Sequence, residues 1–262
     1  MFWQRHHPIL RRLILTANAT LPPVCVWFWF RGAWPAFAAA LVGTAIFHTA
    51  LAIGIFHPRC PWLGPVFRRF RTAQKAVWLT IDDGPDGEST VRLAEALQSR
   101  GVRATFFVVG ERAREHPEAV RAVMAKGHTL ANHSDTHPRC TMWCLNRRRV
   151  RAEVSGCAEV LHGAGEDHPW FRPPVGHKAP ALHPVLRSLG VRLVSWTTGG
   201  RDGYGPDPAP LIRRILTQGT PGSILLLHEG RPHAHATVLA VVDAVLAQGY
   251  QFVIPTDSEL VE

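Results

Sequence analysis

The segment Lys75–Pro85, KAVWLTIDDGP, shows how the rest of the chain is built. Its first residues are apolar and β-branched, which is typical of a buried strand. The strand pattern stops at two adjacent carboxylates, Asp82 and Asp83, directly before Gly84-Pro85. A surface turn uses the same residue types, but a turn does not explain why an apolar strand runs into two acids. The segment therefore predicts a buried strand that ends in a functional carboxylate pair.

Strand and helix patterns alternate after this segment. The chain continues through the helical STVRLAEALQSRG to the strand RATFFVVG, and similar units follow as far as YQFVIP at residues 250–255. Repeated βα units with glycine after the helices indicate an α/β fold with a mostly parallel sheet, open or closed into a barrel. Reactive side chains are then expected at the carboxyl ends of the strands.

The N-terminal part has a different composition. Residues 13–30 are apolar but interrupted by polar residues and a Pro-Pro pair, whereas residues 33–56 form a longer run without a charged residue. At about 1.5 Å per residue the second run can cross a hydrocarbon core of about 30 Å, although a buried helix of a soluble domain is the alternative. We predict a membrane region at 1–60 with one or two transmembrane helices, a basic juxtamembrane linker at 61–72 and a catalytic domain at 73–262.

Arginines lie before the first apolar run and after the second, and only Arg31 separates the two runs. If both runs span, the positive-inside rule places both ends in the cytoplasm; if only the second spans, the charges on its two sides compete. We expect a bacterial-type inner (cytoplasmic) membrane protein, with the cytoplasmic face favoured for the catalytic domain.

Charge and cysteine content exclude two classes of protein. The formal net charge is +9, but the arginines are scattered and no nucleic-acid-binding signature is present, so we expect no nucleic-acid partner. Five cysteines without a framework spacing argue against a disulfide-built fold. Cys140 and Cys144 have a three-residue separation that fits a zinc knuckle poorly, and we expect them to be buried as small apolar residues.

A second group of reactive residues follows a short apolar strand. In NHSDTH, His133 and His137 are four residues apart, so one helical turn would place both imidazoles on one face. Two histidines and one carboxylate form a common open metal site. One acid of the 82–83 pair can then bind the metal while the other accepts a proton from water.

The motifs TIDDGP, HSDTH, RPPVG and LLLH resemble, in order and spacing, those of the NodB-homology polysaccharide deacetylases (carbohydrate esterase family 4), over residues 73–252. The resemblance implies a deformed (β/α) barrel with fewer than eight strands and the removal of N- or O-acetyl groups from sugars. It also implies one divalent metal ion, with Asp83, His133 and His137 as ligands. Zinc is the default for this ligand set, while cobalt, manganese and nickel also fit it.

The same resemblance assigns the proton-transfer roles. Asp82 would be the general base, and Arg172 of RPPVG would orient it and keep it ionised. His228, at the end of SILLLH, would be the general acid that protonates the departing amine. Asp202 would pair with His228 and keep that imidazole protonated.

The chain departs from the family pattern in its fourth motif. The family usually has an Asp-Trp pair, but SWTTGGRDGYG has Gly203 in the place of the tryptophan. The missing indole leaves the acyl pocket less defined, unless Tyr204 turns in to replace it. Glu229 stands where the family often has aspartate, a change to which the sequence assigns no effect.

The substrate follows from the side of the membrane that the domain faces. A cytoplasmic domain predicts an acetylated amino-sugar glycan or glycolipid that is lipid-linked or nucleotide-linked, with membrane lipid as a second partner. An exported domain predicts a deacetylase of a cell-wall polysaccharide of the peptidoglycan, chitin or xylan type. A non-catalytic carbohydrate-binding relative is a further alternative, favoured only by Gly203.

Overall fold

The computed structural model describes residues 3–202 and 204–262. Its N-terminal part is a hairpin of two helices, α1 (Trp3–Phe30) and α2 (Trp34–Phe56). Both are long and apolar enough to cross a membrane, and only 17% and 11% of their most apolar windows are buried within the molecule. Because the core helix of a soluble domain is mostly buried, this exposed apolar surface favours a membrane-facing hairpin.

Polar groups inside the hairpin face the neighbouring helix. The Asn18 side-chain amide donates to the carbonyl oxygen of Phe47 at 2.9 Å, and Cys25 Sγ lies 3.3 Å from Thr44 Oγ1. Such interhelical contacts satisfy polar groups that lipid cannot. At the open end of the hairpin, the Arg11 guanidinium donates to the carbonyl oxygen of Pro180 at 2.8 Å. The start of α1 therefore lies against the domain that follows α2.

The remaining chain forms one curved sheet surrounded by helices. The strands are β1 (Arg69–Phe70), β2 (Ala76–Gly84), β3 (Ala104–Val108), β4 (Thr129–Asn132), β5 (Trp170–Phe171), β6 (Arg192–Leu193), β7 (Thr198–Gly199), β8 (Ser223–His228), β9 (Gln251–Phe252) and β10 (Leu260–Val261). The helices are α3 (Gly87–Gln98), α4 (Gly110–Glu115), α5 (Pro117–Ala125), α6 (Arg147–Gly163), α7 (Leu182–Ser188), α8 (Ala209–Gln218) and α9 (Ala234–Ala247). Short 3₁₀ turns cover Met142–Cys144, Pro174–Gly176 and Asp257–Glu259.

The strand order is β10-β1-β8-β2-β3-β4-β5-β6, with β7 beside β8 and β9 beside β2. The run from β8 to β6 is parallel, whereas β1 is antiparallel to both of its neighbours. A bridge between Phe67 and Val194 joins the two sides of the sheet, which therefore curls toward closure. The predicted deformed (β/α) barrel is confirmed, with the carboxyl ends of its parallel strands at one rim.

Strand alternation divides the core between two faces. Leu79 and Ile81 of β2 pack in the cluster beneath the helices, whereas Trp78 packs inside the curled sheet with Phe107 and Trp170. The rings of Trp78 and Trp170 lie 4.9 Å apart, and the Trp78 indole N–H donates to Thr105 Oγ1 at 2.8 Å. Because side chains on one face recur every second residue, the inward face that carries Trp78 also carries residue 82. Apolar side chains thus fill the interior of the barrel, and polar groups occupy the rim at the carboxyl ends of the strands.

Residues 61–72, predicted to be a linker, lie against this domain. Leu63, Val66 and Phe70 are buried, and β1 pairs with β8 and β10. The prediction that Cys140 and Cys144 are buried is wrong, since both are exposed thiols in the loop between β4 and α6. Met142, between these two cysteines, is the residue of this loop that is buried in the core.

Replacing Trp170 by alanine tests the aromatic filling of the barrel. Trp170 is 1% exposed, and we expect Trp170→Ala to lower the free energy of unfolding by about 3–5 kcal/mol because the cavity cannot collapse. Trp143→Ala is the matched control, because Trp143 is 40% exposed and should lose less than about 1 kcal/mol. The melting temperature of the purified variants in detergent measures the difference, and equal losses would contradict the packing described.

Candidate active site

The end of β2 separates two neighbouring carboxylates. Asp82 still pairs in the ladder with Phe107 of β3 and His228 of β8, but the register shifts between Asp82 and Gly84. Asp83 has a φ of 75°, in the left-handed region that an aspartate tolerates better than most residues. The bulge breaks strict alternation, so both carboxylates reach the same cavity.

Asp82 is held by a buried arginine. Asp82 is 2% exposed, and its Oδ1 accepts from Arg172 Nη1 at 2.6 Å. The same guanidinium donates to Thr80 Oγ1 and to the carbonyl oxygens of Val194 and Ser195 at 2.8–3.1 Å. All three nitrogens of the guanidinium therefore donate hydrogen bonds. A buried pair of charges is tolerated when its groups are hydrogen-bonded in this way. Arg172 therefore fixes Asp82 as an oriented carboxylate.

Three other side chains converge beside Asp82. Asp83 Oδ1 lies 3.4 Å from His133 Nε2 and 3.2 Å from His137 Nε2. The predicted convergence is confirmed, but its predicted cause, one helical turn, is wrong. Ser134 and His137 have φ values of 72° and 54°, so a tight loop after β4 brings the imidazoles together.

The donor set fits a divalent transition metal. One ligand atom from each of Asp83, His133 and His137 lies within 4.8 Å of the other two. Ligands bound tetrahedrally at about 2.1 Å are about 3.4 Å apart, which matches the observed spacing. His133 Nδ1 bonds the carbonyl oxygen of Arg172 at 2.8 Å, which directs Nε2 toward the other two ligands. These three residues are thus suited to hold one ion.

The electrostatics of the cluster keep Asp83 ionised. Burial alone would raise the pKa of Asp83, but hydrogen bonds from His133 and His137 outweigh it and hold the pKa well below its usual range. Burial lowers the pKa of His133, whereas the charge of Asp82 and the hydrogen bond to Asp83 raise it. The net result is a raised pKa. The site therefore attracts positive charge at this position, whether a proton or a metal cation.

A histidine and aspartate pair lies on the other side of the cavity. Asp202 Oδ1 is 2.7 Å from His228 Nδ1, and Asp202 Oδ2 accepts the backbone N–H of His228 at 2.7 Å. Asp202 is 2% exposed. Two bonds to one carboxylate fix the imidazole rotamer and place the proton on Nδ1, so Nε2 is available to a substrate.

Both carboxylates of the pair and the three histidines line one cavity of about 90 Å³: Asp82, Asp83, His133, His137 and His228. Tyr204 and Arg231 also line it, with the Arg231 guanidinium 4.3 Å from the Tyr204 ring centroid. Arg231 Nη2 lies 3.5 Å from Asp83 Oδ2, and its Nη1 donates to the carbonyl oxygen of Asp202 at 2.9 Å. Tyr204 is 77% exposed and so covers the mouth and not the floor. Gly203, where the family has tryptophan, lies outside the described residues.

Sequence reasoning missed the residue that shapes the histidine loop. Glu153 Oε2 accepts the backbone N–H groups of Asp135 and Thr136 at 3.1 and 2.9 Å, and Oε1 accepts the Thr136 hydroxyl at 2.8 Å. Glu153 is 4% exposed on the face of α6 that carries Val150 and Val154. A carboxylate within an apolar helical stripe was the available signal.

Glu229, the second departure from the family pattern, is also buried. Its Oε2 accepts from the Thr90 hydroxyl on α3, and its Oε1 packs against Gly84 so closely that no Cβ fits there. Burial raises the pKa of Glu229 to about 8, although the Thr90 bond opposes this. The side chain is therefore largely protonated at neutral pH and joins β8 to α3.

Comparison with known proteins agrees with the geometry. Residues 70–194 match the family described as polysaccharide deacetylase. A chitooligosaccharide deacetylase from Azorhizobium caulinodans is 34% identical over 173 residues, which cover 65% of this chain and 81% of that protein. A family 4 carbohydrate esterase from Streptomyces lividans in complex with acetate has a TM-score of 0.64 at 29% identity, covering 71% of this chain and 96% of that chain.

A pseudoenzyme of carbohydrate esterase family 4 from Bacillus anthracis has a TM-score of 0.65 at 25% identity, covering 74% of this chain and 67% of that chain. Fold similarity alone thus does not separate active from inactive relatives. The fold and the metal-type site define a class of carbohydrate-modifying protein. This chain belongs to the polysaccharide deacetylase family, carbohydrate esterase family 4, as its motifs predicted.

Removing one acceptor from Glu153 should weaken metal binding. In Glu153→Gln an amide nitrogen replaces one of the two carboxylate oxygens, so the loop between His133 and His137 loses part of its support. We expect about tenfold weaker Zn²⁺ affinity with the fold retained. Glu159→Gln, an exposed site on the same helix, should leave the affinity unchanged. Competitive zinc titration of the metal-free proteins measures both, and equal affinities would contradict the role given to Glu153.

Glu229→Gln should change the pH dependence of stability. The pKa of Glu229 is raised from 4.5 to about 8 in the folded state, so folding takes up a proton between these values and the wild-type protein loses stability as pH rises. The advantage of the glutamine variant should be absent below about pH 4.5 and reach on the order of 4 kcal/mol above pH 8. Melting temperatures from pH 5 to 9 test this. The exposed control Glu111→Gln should differ from wild type by a constant amount, and the same flat profile for Glu229→Gln would refute the assignment.

Proposed function

We propose that the protein is a metal-dependent deacetylase that hydrolyses the N-acetyl group of an amino sugar in a glycan or glycolipid. The observation that carries the proposal is the arrangement in one cavity of Asp82 on Arg172, the ligand set at Asp83, and His228 on Asp202. A proton acceptor and a proton donor thus flank a metal-type site. Metal-assisted hydrolysis of an amide by water uses these three elements together.

Asp82 acts as the base. It accepts a proton from the water that attacks the acetyl carbonyl carbon, and its contact with Arg172 holds it in one orientation. Asp82 Oδ2 is 3.7 Å from His133 Nε2, so the carboxylate lies beside the ligand set without being the nearest acid to it. Asp83, which is within 3.4 Å of both imidazoles, takes the ligand role.

His228 acts as the acid. Its Nε2 delivers a proton to the amide nitrogen as the carbon–nitrogen bond breaks, which releases acetate and leaves a free amine on the sugar. The bond from Nδ1 to Asp202 holds the ring in position during the transfer.

Zinc is the ion we propose for the ligands Asp83, His133 and His137, and cobalt, manganese and nickel suit the same donors. When bound, the ion supplies Lewis acidity that polarises the acyl carbonyl and makes water easier to deprotonate.

We further propose that the α1–α2 hairpin anchors the protein in a bacterial-type inner membrane, in contact with membrane lipid. Arg11 at the open end of the hairpin contacts the catalytic domain, whereas Arg31 is at the opposite turn. Most juxtamembrane arginines therefore lie on the side of the catalytic domain, which supports a cytoplasmic active site under the positive-inside rule.

Substitution of the acid, the base and one ligand separates the proposed roles. Asp82→Asn and His228→Ala should each lower acetate release by about 10²–10⁴-fold while metal content stays near that of wild type. His133→Ala should lose both activity and metal. Asp243→Asn, which alters an exposed pair with Arg100 on the surface, is the control and should keep both. Enzymatic detection of acetate and elemental analysis of the protein supply the two measurements.

Two results would oppose the proposal. Normal acetate release by Asp82→Asn would remove Asp82 as the base. A metal-loaded wild-type protein without acetate release from any N-acetylated amino-sugar substrate, lipid-linked or soluble, would instead favour a carbohydrate-binding role, the alternative raised by the structural similarity to a pseudoenzyme.

A further inference from the structure

The wall of the catalytic cavity is attached to the end of α2. The cavity is lined by Val175 and Gly176, and Lys178 follows two residues later. The backbone N–H of Lys178 donates to the carbonyl oxygen of Ile55 at 3.0 Å, and its ammonium group donates to that of His57 at 2.6 Å. Lys178 is completely buried. The end of the second apolar helix is thus fixed to the loop that forms one side of the site.

Side-chain packing strengthens this attachment. The Phe56 ring lies 5.0 Å from the His177 ring and 5.7 Å from that of Trp143. Pro58 approaches Gly176 so closely that a Cβ there would come within 2.6 Å of the proline side chain. Gly176 therefore contacts the residues after α2 and lines the cavity at the same time.

This attachment sets the height of the cavity relative to a bilayer. The 23 residues of α2 extend about 35 Å at about 1.5 Å per residue, slightly more than a hydrocarbon core of about 30 Å. Phe56 then lies at the boundary of the core, and the polar headgroup layer beyond it is about 5–8 Å thick. Residues 56–58 contact residues 176–178 directly, so the end of the helix lies against the cavity wall. The cavity therefore lies at the level of the lipid headgroups.

The residues around the mouth suit this position. Tyr204 and Val175 line the cavity and are 77% and 49% exposed, and Trp143, which contacts Phe56 at the end of α2, is 40% exposed. Tryptophan and tyrosine are enriched at membrane interfaces. Arg139 lines the cavity and is exposed, and Arg59, three residues after the end of α2, is also exposed and donates to the carbonyl oxygen of Thr197 at 2.9 Å. Arginine matches the geometry of phosphate oxygens.

We propose that the substrate is an N-acetylated amino sugar joined through phosphate to a membrane lipid. This inference rests on the proposed deacetylase activity and on the proposed membrane hairpin. A lipid carrier places its phosphate at headgroup level, beside Arg139, and its first sugar directly at the cavity. A polysaccharide that reacts within its chain has to continue on both sides of the reacting residue, and a bilayer at the level of the cavity would obstruct one of these sides. The reaction hydrolyses the amide with water, releases acetate and leaves the amine and the phosphate linkage on the lipid.

Three substrates test the height of the cavity. The full-length protein, loaded with Zn²⁺, is reconstituted in vesicles of phosphatidylcholine and phosphatidylglycerol. The first is N-acetylglucosamine joined by diphosphate to a long prenyl chain, and the second carries a long polyethylene glycol spacer between lipid and sugar diphosphate. The third is soluble chitotetraose. Acetate release from the short-linked lipid should exceed that from the spacer-linked lipid at least about tenfold, although both are equally concentrated in the membrane.

The outcomes separate the two proposals. Equal rates for the short-linked and spacer-linked lipids, or faster turnover of chitotetraose, overturn the lipid-linked substrate and leave the deacetylase activity standing. No acetate from any of the three overturns the deacetylase proposal itself.

Variants test the contribution of phosphate. Arg139→Gln should raise the KM for the diphosphate-linked lipid about tenfold, and leave kcat little changed, because one charge-assisted contact is lost. It should not alter the KM for an uncharged N-acetylglucosaminyl glycolipid with the same chain. Arg121→Gln, an exposed site on α5, is the matched control and should change neither KM. An equal effect of Arg139→Gln on both lipids overturns the phosphate contact.

Discussion

The buried ion pair between Asp82 and Arg172 is the interaction on which the rest of the site depends. Two charges inside a barrel are expensive to desolvate, and the pair is tolerated because the guanidinium also binds Thr80 and the carbonyl oxygens of Val194 and Ser195. The Phe107 ring, 4.0 Å below the guanidinium, adds a cation–π contact and keeps water out from beneath. One side chain therefore connects β2, β5 and the segment after β6. The bonds that stabilise the guanidinium of Arg172 also hold the rim of the curled sheet in one shape.

Much of this organisation was predictable from the sequence because it depends on local patterns. A buried strand that ends in Asp82-Asp83 and a histidine pair after another strand place reactive groups at one rim, since parallel strands share their carboxyl edge. The cause of the histidine convergence was not predictable. It depends on left-handed backbone at Ser134 and His137 and on a carboxylate, Glu153, from a helix that begins ten residues after the loop. The packing of residues 61–72 against the sheet was not predicted either. The basic residues of that segment made its inward-facing apolar positions hard to recognise in the sequence.

The adjacency of the two aspartates has a physical explanation that the strand pattern alone does not provide. On a regular strand one of them would face the helices, away from the metal-type site. The bulge at Asp83 removes this restriction, and the surrounding cations compensate the repulsion between the two carboxylates. Arg172 binds Asp82, whereas Asp83 lies between His133, His137 and, at 3.5 Å, the guanidinium of Arg231. Each acid thus has its own counter-charge, which is the condition for two neighbouring carboxylates to take different roles.

The segment from Arg172 to Lys178 joins this electrostatic centre to the membrane hairpin. Its first residue holds Asp82, and its last binds the carbonyl groups at the end of α2. The chain between them has little freedom, because two prolines fix their own φ angles and Val175 and Gly176 take left-handed values of 49° and 73°. A β-branched residue in that region costs about 1–3 kcal/mol, which persists only where the surroundings determine the conformation. The short loop therefore joins the hairpin directly to the cavity wall, so the position of the catalytic groups relative to the hairpin is set by packing and not by a flexible linker.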